Sequence, residues 1–545
     1  MKNLVWDKIK LLFPLSNNTM LVDLITLGKN TIFRNIPNVR NARVRGKYGE
    51  AEYQKLVNKF SKIPIDPIHT NIVVKDIVSN LFSGIPRWRS PFLQYNVGAA
   101  ANVAASAMYA LALDENIYNI NDGLAGNALV AELAVTNILT KLADIKGTNP
   151  YGIFTFGGTA TNMYAMKVGI RKASPTSAKD GTPQNTWILV TQDAHFSHAV
   201  AADWLGVGTG HIEIIDPKQN RESNLQDAER KVRKIIEEGG LFATIIVNGG
   251  TTYSHTVDNI QEFVELRNKL VTEYALDYTP HLHVDSVIGW AWLFFKDYDF
   301  ESNPLELSKP CIENIKQQYD RIKYINLADS WGVDFHKGVG ACPVDCSLVI
   351  FNDFTSIARL SKKDSPSTDP HQLAQEFSFS NPVDYTLETS RAGATSLAAL
   401  TSLQTMGITG YQRSLANLVE MSLLMRKRFS NEQGVIISNE GSRGYVTMIR
   451  LIPPTLTPDK VEKFNEEVNS YNKSFYKWDL ETRMSRNEGV EYSYSGSFIV
   501  GEDGTNIGAQ KFYLVSPHVD KNIIIDTVST VMAQKEVFDR EIWNK

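Results

Sequence analysis

The sequence predicts an α/β protein in which a largely parallel sheet is covered by helices on both faces. Three observations support this. Strand-like apolar runs recur at 187, 212, 243, 281, 324 and 346, with mostly helical patterns between them, the rhythm of strand–helix–strand units. Residues capable of chemistry follow such runs directly: Gly158, His195, Thr251, Asp285 and Lys337. Sites in sheets of this kind gather at the carboxyl ends of the strands. The chain of 545 residues, 43% hydrophobic and 21% charged, has the composition of an ordinary globular protein and room for several domains.

Residues 1–89 read as short helices and loops, punctuated at Ile63–Pro67 and Pro86–Pro91. The large domain is expected over 90–391. It opens with two helix-like blocks, the second carrying Leu129, Leu133, Val135, Ile138 and Leu139 near helical spacing. The apolar run Val97–Leu113 contains Asn102 and is rich in alanine. It falls short of a membrane span and predicts a buried helix.

A short strand-like run then meets Gly157-Gly158, followed by Thr159, Ala160, Thr161 and Asn162 and a helix. Glycines allow close backbone approach, and free amides at a helix start bind an anion. No Gly-Lys-Ser/Thr follows, so this is not a Walker loop. Trp187–Thr191 predicts a strand running into His195 and His198. An imidazole after a strand can pack a flat ring and exchange protons, and either histidine fits. His211–Ile215 and Phe242–Val247 predict two more strands around a charged helical segment. The second is followed by Gly249-Gly250-Thr251-Thr252 and by Asp258, read as a helix cap.

His281–Asp285 ends an apolar strand on a carboxylate, which is costly unless paired. Strands are next expected at Tyr324–Leu327 and Cys346–Phe351, flanking a turn with Ser330, Asp334, His336, Lys337, Gly338 and Gly340. Residues 354–381, rich in Ser, Asp and Pro, predict a loop. A small α+β domain is expected over 392–545. Its helix from Ala392 to Phe429 is broken at Gly407–Gly410, and its strands lie at Gly434–Ser438, Tyr445–Leu451, Tyr492–Val500 and Lys511–Val515. Helices fall at Lys460–Tyr476 and Ile523–Val537.

Charge and cysteines limit the function classes. With 56 basic against 60 acidic residues the net charge is −4, which lacks the basic footprint of a nucleic-acid partner. Cys311, Cys342 and Cys346 cannot form a disulfide framework and fit a reducing cytoplasm. C-x3-C at 342–346 has no second ligand pair, so no metal site is expected. Asp7, Lys8, Lys10, Asn17 and Asn18 break the apolar runs of residues 1–30, giving no clear secretory signal. No membrane partner is expected.

Taken in order, the glycine-threonine turn, the histidine, the threonine turn, H-V-D at 283–285 and D-x-H-K-G at 334–338 resemble the group II pyridoxal-phosphate-dependent amino-acid decarboxylases. That family includes aromatic-amino-acid, glutamate and diaminobutyrate decarboxylases. The resemblance covers roughly residues 90–400. It implies the fold type I architecture and a homodimer with the site near the interface, residues 1–89 forming an N-terminal helical arm that wraps the partner.

The resemblance makes Lys337 the Schiff-base lysine and Asp285 the partner of the cofactor's ring nitrogen. It places His195 on the ring face, with His198 as its competitor, and Gly158, Thr159, Ala160 and Thr161 at the phosphate. Thr251, Asp334 and His336 become cofactor neighbours, and Gln94, Tyr95 and Asn96 fall on the substrate side. It implies pyridoxal 5'-phosphate as cofactor and decarboxylation of an L-amino acid to its amine and CO2. A carbon–carbon lyase, an oxidative deaminase or a catalytically silent scaffold on the same fold are the alternatives.

Two departures from the family stand out. Ser286-Val287-Ile288 replaces its small residues, and residues 352–384 hold no tyrosine where the family's loop carries one, with His371 and Gln372 nearest that place.

Overall fold

The computed structural model describes residues 9–13, 19–36, 42–44, 49–218, 221–361, 380–486, 489–500 and 506–543. Its main sheet has seven strands: β1 (Tyr151–Thr155), β2 (Thr186–Thr191), β3 (Ile212–Ile215), β4 (Leu241–Asn248), β5 (His281–Asp285), β6 (Ser330–Asp334) and β7 (Ser347–Phe351). The spatial order is β1-β7-β6-β5-β4-β2-β3. Neighbours from β6 through β3 run parallel, whereas β7 is antiparallel to both β6 and β1.

Both faces of the sheet are covered because successive side chains point to opposite sides. Ile188 and Val190 pack with Met166 and Ile170 of the helix Gly158–Ala173. Leu189 joins the larger core with Val232 and Phe263, from the helices Leu225–Glu237 and Ile260–Glu273. The predicted mostly parallel α/β sheet is therefore present.

Three expectations need correction here. Residues 324–327 form the end of a 3-10 helix, Lys323–Leu327, and the strand is Ser330–Asp334, placing both polar residues inside the sheet. Their polar atoms are satisfied there: Ser330 Oγ bonds His281 and His283 at 2.7 and 2.8 Å, and Ser347 Oγ donates to Asp334 Oδ1 at 2.5 Å. The alanine-rich helix starts at Val103, capped by Asn102 Oδ1 accepting from Ala105 N at 2.7 Å. It is not wholly buried, since Val103, Leu111 and Leu113 are 72%, 51% and 49% exposed. The helix expected from Lys460 starts at Asn465, after a 3-10 turn at Pro458–Lys460, and runs to Arg486.

A second, antiparallel sheet has the order β10-β11-β9-β8, with β8 Val435–Ile437, β9 Val446–Leu451, β10 Ser493–Val500 and β11 Asn506–Tyr513. The long helix Ala394–Ser430 kinks at Gly407, whose φ of 60° and ψ of 176° leave the helical region where the break was expected.

Candidate active site

The site begins where β1 ends. Gly157, with φ 124°, turns the chain into the helix Gly158–Ala173. The first helical amides have no acceptor four residues back, so those of Gly158 and Thr159 face outward with the positive end of the helix dipole. Gly158 also permits a close approach: a Cβ there would sit 2.8 Å from Asp334 Oδ2. Gly158 and Thr159 line a cavity of about 280 Å³. Ala160 and Thr161 do not. Ala160 is fully buried, and Thr161 Oγ1 donates to Gly158 O at 2.7 Å. A helix returns to the same face after four residues, so Asn162 comes back to the cavity, a residue that the sequence reading left without a role.

Asp285 ends β5 at the floor of this cavity. His198 Nε2 lies 3.0 Å from its Oδ2, and Asn162 Nδ2 donates to the same oxygen at 3.2 Å. Oδ1 is buried and has no hydrogen-bond partner. Burial pushes the carboxyl upward, but the His198 bond and the charges of His198, Lys337 and His283 outweigh it and hold the group well below the usual carboxylate range. An ionised carboxylate only accepts, so His198 Nε2 is the donor. His198 is thus a buried partner of Asp285, and His195 is the histidine lining the cavity. Ser197 N donates to His195 Nδ1 at 3.2 Å, which leaves the ring proton on Nε2. Burial lowers the His195 pKa, so the ring is neutral near neutral pH.

Lys337 follows β6 and lines the same cavity as Asp285. Its Nζ lies 2.8 Å from Asp334 Oδ2. An amine must lose its proton to attack an aldehyde, and burial favours that loss. Burial does act in that direction, but the Asp334 and Asp285 carboxylates override it and hold the amine above its usual value. His336 lines the cavity and its Nδ1 donates to Cys346 O at 3.2 Å.

Thr251 and Thr252 form part of the opposite wall. Asp258 is not a helix cap: its two carboxylate oxygens accept from Ser223 N at 2.9 Å and Asn248 N at 2.8 Å, tying the end of β4 to a neighbouring loop. Val287 and Ile288 also face the cavity, so the departure after Asp285 adds two apolar walls. Gln94 is fully buried and donates to Thr527 Oγ1 at 3.0 Å, which gives it a packing role, and Tyr95 is partly buried in the same core.

Asn96 lines a second cavity of about 380 Å³, which shares Asp193, His195 and Thr252 with the first. Lys511 reaches this second cavity from β11. Its Nζ lies 5.5 Å from the Tyr253 ring centroid, and no carboxylate among the described residues pairs with it. Burial pushes its pKa down to about 8. The sequence carried no local signal for Lys511, because it lies more than 170 residues beyond Lys337. His371 and Gln372 lie outside the described residues.

The donor set fits pyridoxal 5'-phosphate. An orphaned carboxylate oxygen suits a ring N–H, two helix-start amides suit a phosphate, and a lysine amine suits an aldehyde, all on one cavity. The architecture is that of the fold type I pyridoxal-phosphate enzymes. The chain superimposes on the mouse CSAD crystal structure with a TM-score of 0.76 at 15% identity, covering 95% of this chain and 99% of that one.

The chain belongs to the pyridoxal-dependent decarboxylase family. Residues 53–449 match the family model for the pyridoxal-dependent decarboxylase conserved domain. Similar curated proteins include an L-tyrosine decarboxylase of Levilactobacillus brevis, 28% identical over 44% of this chain and 40% of that protein. An L-2,4-diaminobutyrate decarboxylase of Rhizobium meliloti is 24% identical over 43% of this chain and 40% of its own length. The matched stretches therefore span about two fifths of those relatives.

Proposed function

We propose that this chain decarboxylates an L-amino acid to its amine and CO2. The observation that carries this is the shared cavity: Lys337 and Asp285, with its unpartnered buried Oδ1, face the same space as the amides at Gly158. When bound there, pyridoxal phosphate supplies an aldehyde for the substrate amine and an electron-poor ring that takes up the electron pair left by CO2. Asp285, held ionised, keeps a proton on the ring nitrogen. Lys337 is the amine that carries the aldehyde between turnovers, and Asp334 positions it through the ion pair at 2.8 Å. His195, neutral and protonated on Nε2, forms a flat wall of the cavity, and residues 352–384 lack the loop tyrosine to which return of a proton to the product carbon would otherwise fall. Val287 and Ile288 exclude water, which strengthens every charge interaction inside.

That missing tyrosine supports one second reading, a decarboxylating oxidative deaminase. Aerobic incubation with single amino acids and pyridoxal phosphate separates the two: amine and CO2 support the first; aldehyde, ammonia and CO2 with peroxide formed from O2 support the second; and no consumption across a broad panel refutes both. We propose a homodimer for the assembly. Val103, Leu111, Leu113, Leu124 and Val130 are apolar side chains 49–72% exposed, surface that a second copy would cover; sedimentation as a 61.0 kDa monomer at micromolar concentration would refute it.

The Lys511 ammonium is the cation facing an anionic group of the substrate. Lys511→Met raises KM about tenfold at pH 7, the effect of one lost charge-assisted hydrogen bond, and changes kcat less. Only the protonated amine binds an anion, so wild-type affinity is full below the pKa of about 8 and falls as pH rises through it. Lys511→Arg retains binding and removes that alkaline limb, because guanidinium stays charged. An unchanged KM in Lys511→Met refutes the assignment.

A further inference from the structure

The turn carrying Thr251 is held from outside its own domain. Internally it is closed by Thr251 Oγ1 to Ser254 Oγ at 2.8 Å, Ser254 Oγ to Thr256 Oγ1 at 2.7 Å, and Thr256 N donating to Thr251 Oγ1 at 3.1 Å. Its remaining bonds are made mainly by the second sheet. In the loop 438–445, between β8 and β9, Asn439 Nδ2 donates to Tyr253 O at 2.9 Å, and Ser442 Oγ donates to Ser254 O at 2.9 Å. Asn439 is itself fixed, because its Oδ1 accepts from Met448 N at 2.9 Å.

From β11, the Tyr513 hydroxyl shares a 2.8 Å hydrogen bond with His255 Nε2. His255 sits at φ 55° and is fully buried, and burial pushes its pKa down to about 3, so it stays neutral. Left-handed backbone at a non-glycine residue is strained and persists only when its surroundings over-determine it. Gly444 is pressed against this ring: a Cβ there would lie 2.2 Å from His255 Cγ.

The same loop reaches the lysine turn. The Tyr445 ring centroid lies 4.3 Å from that of His255, and its hydroxyl rests on Gly338, where a Cβ would be only 2.1 Å away. Gly338 follows Lys337 and has φ 52°. One loop of the second sheet therefore touches both turns that line the cofactor cavity, 251–256 and 337–338.

We propose that Asn439, Ser442, Tyr445 and Tyr513 are positioning residues that hold the Thr251 turn and the Lys337 turn in register, so that the seating of the second sheet sets cofactor affinity. This rests on the reading that the cavity holds pyridoxal phosphate. The test is equilibrium titration of the full-length apoprotein with pyridoxal phosphate, followed by cofactor absorbance, on wild type, Ser442→Ala, Tyr513→Phe, Thr251→Ala and the two double variants with Thr251→Ala. Each single substitution removes one side-chain hydroxyl, with a methyl as well at Thr251, and a melting curve establishes that every variant is folded.

Ser442→Ala and Tyr513→Phe are each expected to raise the dissociation constant about tenfold, the scale of one buried hydrogen bond left unmade. In the doubles the loss is smaller than the product of the singles, because a turn that has lost Thr251 has nothing left for the loop to position. Unchanged affinity in both single variants, or multiplicative losses in both doubles, overturns the proposal while leaving cofactor binding intact. A wild-type chain that takes up no pyridoxal phosphate overturns the reading beneath it.

Discussion

Lys337→Ala is expected to lower turnover at least ~10³-fold, the scale found when a covalent catalytic group is removed. It should also abolish the borohydride-stable attachment of pyridoxal phosphate. No other lysine among the described residues lines the cavity to replace it: Lys511 opens on the neighbouring one. The pH behaviour of capture follows from the ion pair with Asp334. Only the neutral amine attacks an aldehyde, and Lys337 is held above its usual value. The neutral fraction, and with it the capture rate, therefore rises about tenfold per pH unit from pH 7 to 9. Asp334→Asn removes the carboxylate at 2.8 Å. It should lower the amine pKa, raise the rate at pH 7 and flatten the slope. Stopped-flow absorbance of apoprotein mixed with pyridoxal phosphate measures both rates. Undiminished turnover in Lys337→Ala would remove this lysine from the mechanism.

Much of the main sheet was legible in the sequence because β2, β4, β5 and β7 are buried runs with few polar interruptions. β6 was not, because Ser330 and Asp334 give Ser-Trp-Gly-Val-Asp the look of a turn. Ser330 Oγ and Asp334 Oδ1 find their partners outside β6, at His281, His283 and Ser347. The same reason limits the site. Lys337, Asp285, Gly158 and Thr251 each carry a local pattern after a strand. Asn162 could have been found by stepping one helical turn on from Gly158. The roles of His195 and His198 depend on which ring meets Asp285, a matter of three-dimensional placement. Lys511, Asn439 and Ser442 come to the site only because the second sheet packs against the first, and no local spacing records that.

Asp285→Asn should leave the cofactor attached through Lys337 but lower kcat about 10²–10³-fold, the range for removing one preorganised charge from a reacting centre. The amide is nearly isosteric, so KM should move far less than kcat. A neutral group at Oδ1 no longer holds the proton on the ring nitrogen, and the ring becomes a weaker acceptor of the electron pair left by CO2.

His198 gives the control. Its Nε2 bond is the leading reason that Asp285 stays ionised against the cost of burial. His198→Ala should raise the Asp285 pKa and bring into view an acid limb in kcat that wild type lacks. The linkage to stability has a definite sign. A carboxylate with a depressed folded pKa stabilises the fold above its unfolded value of ~3.9, and that contribution is lost as pH falls further. The stability gap between wild type and Asp285→Asn should therefore be widest near neutrality, begin to narrow as pH falls below about 4, and close only as pH passes down through the depressed folded value. Denaturant melts at pH 7 and pH 3.5 measure it. A gap that stays constant with pH would show that the Asp285 carboxylate is not held ionised by its neighbours, and the proposed grip on the ring nitrogen would fall with it.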